Sequence, residues 1–374
     1  MKIALLGENY FPTLGGIQEH IHHLARQLLA RGHHVRVLTG LTDVQPWRGP
    51  RDEAWVVRLG PARRLSVMGS RTTVTLGPSV AWKLRQALAE GGFDLVHVHG
   101  PCDFGLPGLL YGLYRGPVVS TLHSPMNDTS PARRLIAPYY QYVLGRRSAA
   151  VIAVSETART AMARYARFDS QVIPNGVDSA ALARGKPLAR FADGKTNILM
   201  LGRLEPRNGP DIMFKALPLV LAARPDLDVR LLVAGEGKAG TAEHEAMVPP
   251  ELRDRVVFLG AVYEERADVY ASARLCVVPA RSGTFSIIVL EALAAGTPVV
   301  ATPFVAGWRT ERHFGPVRMC ADFSPEAVAA GILAELGEDP RARIAAGQEI
   351  ARELDWSEVA RNVEGVYEQV LARR

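Results

Sequence analysis

Short apolar runs alternate along the chain with longer segments of helical period. KIALLG (residues 2–7) is followed over 16–31 by a segment in which Ile17, Ile21, Leu24, Leu28 and Leu29 recur three or four positions apart, the spacing that lines one face of a helix. Gly32 closes that helix, and HHVRVLTG (33–40) and WVVRLG (55–60) return as strands. A helix is predicted over 79–90, ending at Gly91 and Gly92. The strands FDLVHVHG (93–100), PVVSTLH (117–123) and AAVIAVS (149–155) come after it. Such alternation builds a parallel sheet covered by helices on both faces.

A second series follows a break. Residues 179–196 carry Gly, Pro and charge without a strong period, which predicts an interdomain connection. Then come NILMLGRL (197–204), a helix near 209–223, VRLLVAGEG (229–237), RVVFLG (255–260), RLCVVPA (274–280) and PVVAT (298–302). The tail is an amphipathic helix with Trp356, Val359, Val363, Val366, Tyr367 and Val370 on its apolar side. The expected architecture is α/β: two doubly wound domains, 1–185 and 186–354, facing a cleft, with a closing segment 355–374. A chain of 374 residues exceeds what one core usually supports, which agrees with two domains.

Composition, 48% hydrophobic and 22% charged, excludes a disordered or collagen-like chain. No stretch is long and apolar enough to predict a membrane span, and the N-terminus reads as a first strand rather than a signal peptide. Three distant cysteines, Cys102, Cys276 and Cys320, argue against a disulfide framework and for a reducing cytoplasm. Net charge is uneven: residues 1–185 carry +9 and residues 186–374 carry −3. A basic half suits an anionic partner, and a solvated Arg-rich surface explains it equally well.

Several motifs reduce to ordinary turns. GEGKAG (235–240) satisfies a dinucleotide-binding pattern, but Pro249 and Pro250 follow soon after and no ribose-binding acid closes a following strand, so it reads as a loop over a sheet edge. Asp226 and Asp228 sit in a polar turn rather than a metal-binding pair. His22-His23 and His33-His34 read as surface or helix-end pairs. His97 and His99 share a strand face, too few for a metal site, and no metal is predicted. Ser124 and Ser155 lack a nucleophile elbow, and Ala189 stands where a phosphate-loop glycine would precede Gly194-Lys195-Thr196.

Three segments carry chemistry. Gly15 and Gly16 open a helix after the first strand, where backbone amides favour an anion, and a simple strand-to-helix turn accounts for them equally well. Arg203 and Arg207 lie in a strand-end loop, GRLEPRNGPD, with guanidinium forks suited to phosphate. PARSGTFSIIVLEALAAGTPVVAT (279–302) joins strand to helix through Gly283-Thr284-Phe285-Ser286 and presents Glu291 two turns on. Loop amides there suit a diphosphate, and the carboxylate suits the two hydroxyls of a ribose.

Taken in order, GGIQEHIHHLARQLLARGHHVRVLT, FDLVHVHG, VVSTLHS, VIAVSE, VIPNGVD, LGRLEPRNGPD, LLVAGEG, VVFLGAV and the 279–302 block resemble the retaining glycosyltransferases of family 4, with their two-domain GT-B fold. The resemblance covers nearly the whole chain. It implies a nucleotide-sugar donor in the second domain, an acceptor in the first and a tail crossing back to the first domain. Arg203 would then neutralise the diphosphate, Glu291 hold the ribose and His123 lie at the sugar. Gly15, Gly16, Arg207, Asn208, Val262, Gly283, Thr284, Phe285, Ser286 and Ile287 would line the donor. It also implies transfer with retention and without metal, no cofactor besides the donor, and a role in glycan biosynthesis.

Two departures stand out. The family's Lys, five residues after the Arg of G-R-L, is Asn208, and the first Glu of its E-x7-E motif is Gly283. Arg207, Arg281, Thr284 and Ser286 are the candidates to compensate. An active transferase is therefore set against a degenerate member that binds a nucleotide sugar or partners an active enzyme, and against a phosphorylase or epimerase. Arg63, Arg64, Arg71, Arg133, Arg134, Arg146 and Arg147 suggest an anionic or lipid-linked acceptor and contact with the inner face of a membrane; no nucleic acid is expected.

Overall fold

The computed structural model describes residues 1–42, 49–51, 53–67, 70–123, 135–237, 240–283, 285–304 and 315–373, with backbone alone for 64–67 and 70–73. Thr284, Ser124, Arg133 and Arg134 lie outside these residues, as do the side chains of Arg64 and Arg71.

The chain forms two compact units, Met1–Gly176 with Trp356–Arg374, and Val177–Asp355. The first holds β1 (Lys2–Gly7), β2 (His34–Leu41), β3 (Val56–Pro61), β4 (Arg63–Val67), β5 (Ser70–Val74), β6 (Leu95–His99), β7 (Val118–Leu122), β8 (Ala150–Ala153) and β9 (Gln171–Val172). Its sheet has the order β3-β2-β1-β6-β7-β8-β9 with parallel pairing throughout, and β4 and β5 form a separate antiparallel hairpin. Ile3, Ala4, Leu5 and Leu6 are all fully buried. A strand covered on both faces is apolar at every position, which is why KIALLG reads as a run rather than an alternation.

The second unit holds β10 (Thr196–Leu201), β11 (Val229–Ala234), β12 (Val256–Gly260), β13 (Leu275–Val278), β14 (Val299–Ala301) and β15 (Val317–Met319), in the parallel order β12-β11-β10-β13-β14-β15. Successive β10 residues face opposite cores. Ile198 and Met200 pack with the helices Pro210–Ala223 and Pro325–Gly337, while Leu199 packs with the helices Ile287–Ala295 and Arg341–Glu353. Both sheets reverse strand order once, at β1/β6 and at β10/β13. In open α/β sheets such reversals are where loops diverge and ligands bind.

The structure divides the chain at Gly176/Val177, upstream of the boundary expected after residue 185. Residues 179–196 are part of the second unit rather than a free connection. Leu182 and Phe191 join its core, and the Leu188 amide donates to Ser272 Oγ at 2.8 Å. Three apolar anchors among polar residues lack a period but still dock the segment. The helix Trp356–Ala372 belongs to the first unit, and all six residues expected on its apolar side are buried. No described helix is long and apolar enough to cross a membrane.

Candidate functional site

At the β10/β13 reversal the loops that leave the two strands are tied together. Arg281 forms a two-pronged ion pair with Asp211 (2.8 and 2.6 Å) and donates to the Pro206 carbonyl at 2.7 Å, while its own amide bonds the Arg207 carbonyl at 2.7 Å. Arg281 is thus a brace between loops and not a free cation. Asn208 donates its side-chain amide to the Arg203 carbonyl at 2.7 Å, holding the loop that carries Arg203. Arg203 and Arg207 share Glu205, at 3.1 and 2.7 Å, and more than half of the Arg203 side chain remains exposed.

Gly209 begins the next helix with φ 72°, and a Cβ there would stand 2.0 Å from the Pro279 carbonyl oxygen, so a glycine is required on both counts. Gly235, in the rejected dinucleotide-like segment, has φ 149° and a Cβ there would lie 1.8 Å from the Gly202 oxygen. That glycine serves close approach between two strand-end loops.

Ser286 caps the helix Ile287–Ala295, its Oγ accepting from the Val289 amide at 3.4 Å. The first amides of this helix and its dipole favour an anion at the Phe285–Ile287 end. A Cβ on Gly283 would meet Phe304 at 3.0 Å, so an aromatic ring flanks the position where the family has a carboxylate. Val262 is partly buried against the core of the same unit.

Glu291, on that helix, is 7% exposed. Its Oε1 accepts from Arg266 Nη1 at 2.8 Å and its Oε2 from the hydroxyl of the fully buried Tyr270 at 3.0 Å. Burial and the adjacent carboxylate push the Tyr270 phenol well above its usual value, so it stays a donor. Arg266 and Tyr270 were not foreseen from sequence. Both lie on the helix Arg266–Ala271, before β13, and only the fold brings them to Glu291.

In the first unit, Gly15 and Gly16 open the helix Gly16–Ala30, whose N-terminus has no side-chain cap. His123 follows β7 inside a buried group of imidazoles. His99 Nδ1 and His123 Nε2 are hydrogen bonded at 3.0 Å, and the His20 and His123 rings meet edge to face with centroids 4.8 Å apart. His20 Nδ1 donates to Asn175 Oδ1 at 2.8 Å, and His97 bridges the hydroxyls of Tyr367 and Thr121, each at 2.6 Å. Asn175 belongs to VIPNGVD, which gives that motif a physical role. Burial holds His20 down to about 4 and pushes His97, His99 and His123 well below the usual 6.5, so all four are neutral at pH 7.

Ligand atoms of His20, His99 and His123 lie within 4.8 Å of one another, a closer gathering than the sequence suggested. The His99–His123 bond uses one nitrogen of each ring, and His20 is bonded to Asn175 rather than to either of them, while His20 Nε2 and His99 Nε2 are buried without a hydrogen-bond partner. His22 also departs from expectation. It is buried, with Nδ1 bonded to the Tyr10 hydroxyl at 2.7 Å, because the helix turns it inward against Tyr10, Phe11 and Trp55.

Other readings carry over. Asp226 pairs with Arg224 and Asp228 with Arg255, as surface turn residues do. The Ser155 hydroxyl accepts from the Ala158 amide as a helix cap. The three cysteines are free thiols. The sequence-derived residues therefore fall into two sets, one per unit: Gly15, Gly16 and His123 in the first, and Arg203, Arg207, Asn208, Val262, Gly283, Phe285, Ser286, Ile287 and Glu291 in the second.

Residues 14–181 match the family described as Glycosyltransferase Family 4, and residues 195–337 match Glycosyl transferases group 1. The phosphatidyl-myo-inositol mannosyltransferase of Mycobacterium tuberculosis is 33% identical, the alignment covering 99% of this chain and 97% of that protein. Among solved structures, sucrose-phosphate synthase from Thermosynechococcus elongatus superposes with a TM-score of 0.74 at 21% identity over 100% of both chains. Anabaena HepE in complex with UDP-glucose does so with a TM-score of 0.74 at 19% identity, covering 98% of this chain and 99% of that one. These two likenesses establish the GT-B fold.

Proposed function

The chain belongs to glycosyltransferase family 4, and from that premise we propose that it moves a sugar, with retention and without a metal, from a nucleoside diphosphate sugar to an inositol-bearing, phosphate-linked lipid acceptor. The observation that supports the donor half is the braced pair of loops at the β10/β13 reversal, with Arg203, the Ser286-capped helix N-terminus and Glu291 on neighbouring segments. The acceptor class is taken from the name of the mycobacterial relative, which matches over almost its whole length.

The chemistry follows from residue types. Cleaving the bond between the sugar and the diphosphate builds negative charge on the leaving phosphate. Arg203, with Arg207 beside it, and the amides at Phe285–Ile287 supply fixed positive potential where that charge grows. Glu291 accepts the ribose hydroxyls. His123, in the first unit, is a neutral imidazole and so can act as a hydrogen-bond partner but not as a cation. Asn208 contributes no charge, so Arg203 and Arg207 carry that task here.

Mass spectrometry of products from a panel of nucleoside diphosphate sugars, incubated with a phosphatidylinositol acceptor, tests the whole reading. A glycosylated lipid from one donor is the expected result. Arg203→Ala is expected to lower the rate by about 10²- to 10³-fold while the fold persists, and an unchanged rate removes the assigned role. Asn208 and Gly283 favour one second reading, a family member that binds a nucleotide sugar and does not transfer it. Calorimetric binding with no product across the panel selects that reading.

A further inference from the structure

We infer that Arg266 and Tyr270 are positioning residues that lock Glu291 as a two-acceptor clamp for a ribose diol. This deepens the donor reading above and rests on it. A carboxylate has two oxygens with about two acceptor directions each. Arg266 Nη1 takes one on Oε1 and the Tyr270 hydroxyl takes one on Oε2, at 2.8 and 3.0 Å. One acceptor direction remains on each oxygen, the number needed to receive both hydroxyls of a vicinal diol.

The lock is rigid from behind. Tyr270 is fully buried, its backbone carbonyl accepts from Thr297 Oγ1 at 2.9 Å, and its hydroxyl also reaches the Ile288 carbonyl at 3.3 Å. The Arg266 guanidinium lies over the Tyr263 ring with its carbon 5.2 Å from the centroid, which fixes its plane. With Glu291 only 7% exposed, a ligand reaches just one edge of the carboxylate.

Charge gives the second argument. A lone buried carboxylate beside a diphosphate would repel the ligand it serves. Paired with Arg266, Glu291 presents acceptors without net charge, so hydroxyl recognition and phosphate binding coexist within one small region. Arg266 thereby offsets an anion that the reduced set of cations, with Asn208 in place of a lysine, leaves more costly.

The test is calorimetric binding of UDP, GDP and ADP, each compared with its 2′,3′-dideoxy analogue. The wild-type protein is expected to prefer the ribose form of its nucleotide by about tenfold or more, the scale of one to two charge-assisted hydrogen bonds. Arg266→Gln and Tyr270→Phe are expected to cut that preference several-fold while leaving affinity for the dideoxy form unchanged, and Arg266→Lys to restore part of it. Tyr270→Phe keeps the ring and removes only the hydroxyl, so it remains informative should Arg266→Gln leave Glu291 unpaired and the unit unstable. Added to Glu291→Gln, Arg266→Gln is expected to cause no further loss of preference.

Equal weakening of ribose and dideoxy forms in Tyr270→Phe, or no weakening in either variant, overturns the clamp. The donor reading fails separately: Glu291→Gln with an intact ribose preference, or no binding of any of the three nucleotides, removes the role of Glu291 itself.

Discussion

The imidazoles of the first unit make its stability depend on pH in a direction that follows from burial. His20 and His22 titrate at about 4 in the folded chain, burial being the main cause for each, and His97, His99 and His123 are displaced the same way. In the unfolded chain each titrates near 6.5. Between those values the unfolded chain binds more protons, so stability is full above about pH 6.5 and falls as pH drops towards 4. For His20 or His22 the loss at pH 5 is about 2 kcal/mol. The urea midpoint of the first unit, followed by hydrogen exchange at its amides, is therefore expected to be lower at pH 5 than at pH 7.5. His20→Gln is expected to shrink that difference even though it lowers stability at both pH values by removing the bond to Asn175. Equal differences in variant and parent would show that His20 does not titrate on unfolding. His123, Arg203 and Glu291 could be singled out from sequence because each stands in a short motif of fixed order. Their partners could not: His99 reaches His123 through the parallel register of β6 and β7, in which His99 faces Thr121, His20 meets it from the helix Gly16–Ala30, and Arg266 lies 25 residues from Glu291 on another helix.

Among the elements, the strand-end loops carry the constraint that the helices and strands do not. Gly209 combines a left-handed backbone with a carbonyl 2.0 Å from where its Cβ would be. Gly209→Ala is expected to lower stability by about 1–3 kcal/mol and to weaken nucleotide binding, since the turn positions Arg203 and Arg207 through Asn208 and Arg281. Differential scanning calorimetry together with nucleotide titration checks both effects; an unchanged transition and unchanged affinity would show that the Pro279 side yields and that the loop is not held by this contact. Strands such as β1 and β10 were legible because two-sided burial makes each a continuous apolar run between turn residues. The helices Leu106–Leu113, Pro325–Gly337 and Arg341–Glu353 and the β4–β5 hairpin were not placed. RRLSV and SRTTV are too polar to stand out from loop, and the segment 179–196 docks through three apolar anchors without any period.

At the scale of the molecule, the charge asymmetry survives the shift in domain boundary. Residues 177–185 hold one charge of each sign, Asp178 and Arg184, and residues 356–374 are balanced, so the first unit keeps a net charge of +9 and the second −3. Most of the arginines first singled out lie outside the described side chains, and of the rest Arg147 donates to the Tyr114 carbonyl at 2.6 Å. A more specific surface is the helix Pro78–Gly91, where Trp82 is 63% exposed beside exposed Lys83 and Arg85. An aromatic ring flanked by cations suits the boundary of an anionic bilayer, where each basic residue contributes about 1 kcal/mol. Co-flotation of the full chain with phosphatidylcholine vesicles is expected to require an anionic lipid. It should weaken from 0.15 to 1 M salt, as the screening length falls from about 8 to about 3 Å. Lys83→Glu with Arg85→Glu is expected to reduce binding by tenfold or more, about 1.4 kcal/mol at minimum, and Trp82→Ala to reduce it without changing the salt dependence, because the ring acts through apolar burial. Binding that ignores both anionic lipid and salt would remove this helix as the contact and leave the basic surface as ordinary solvated arginine.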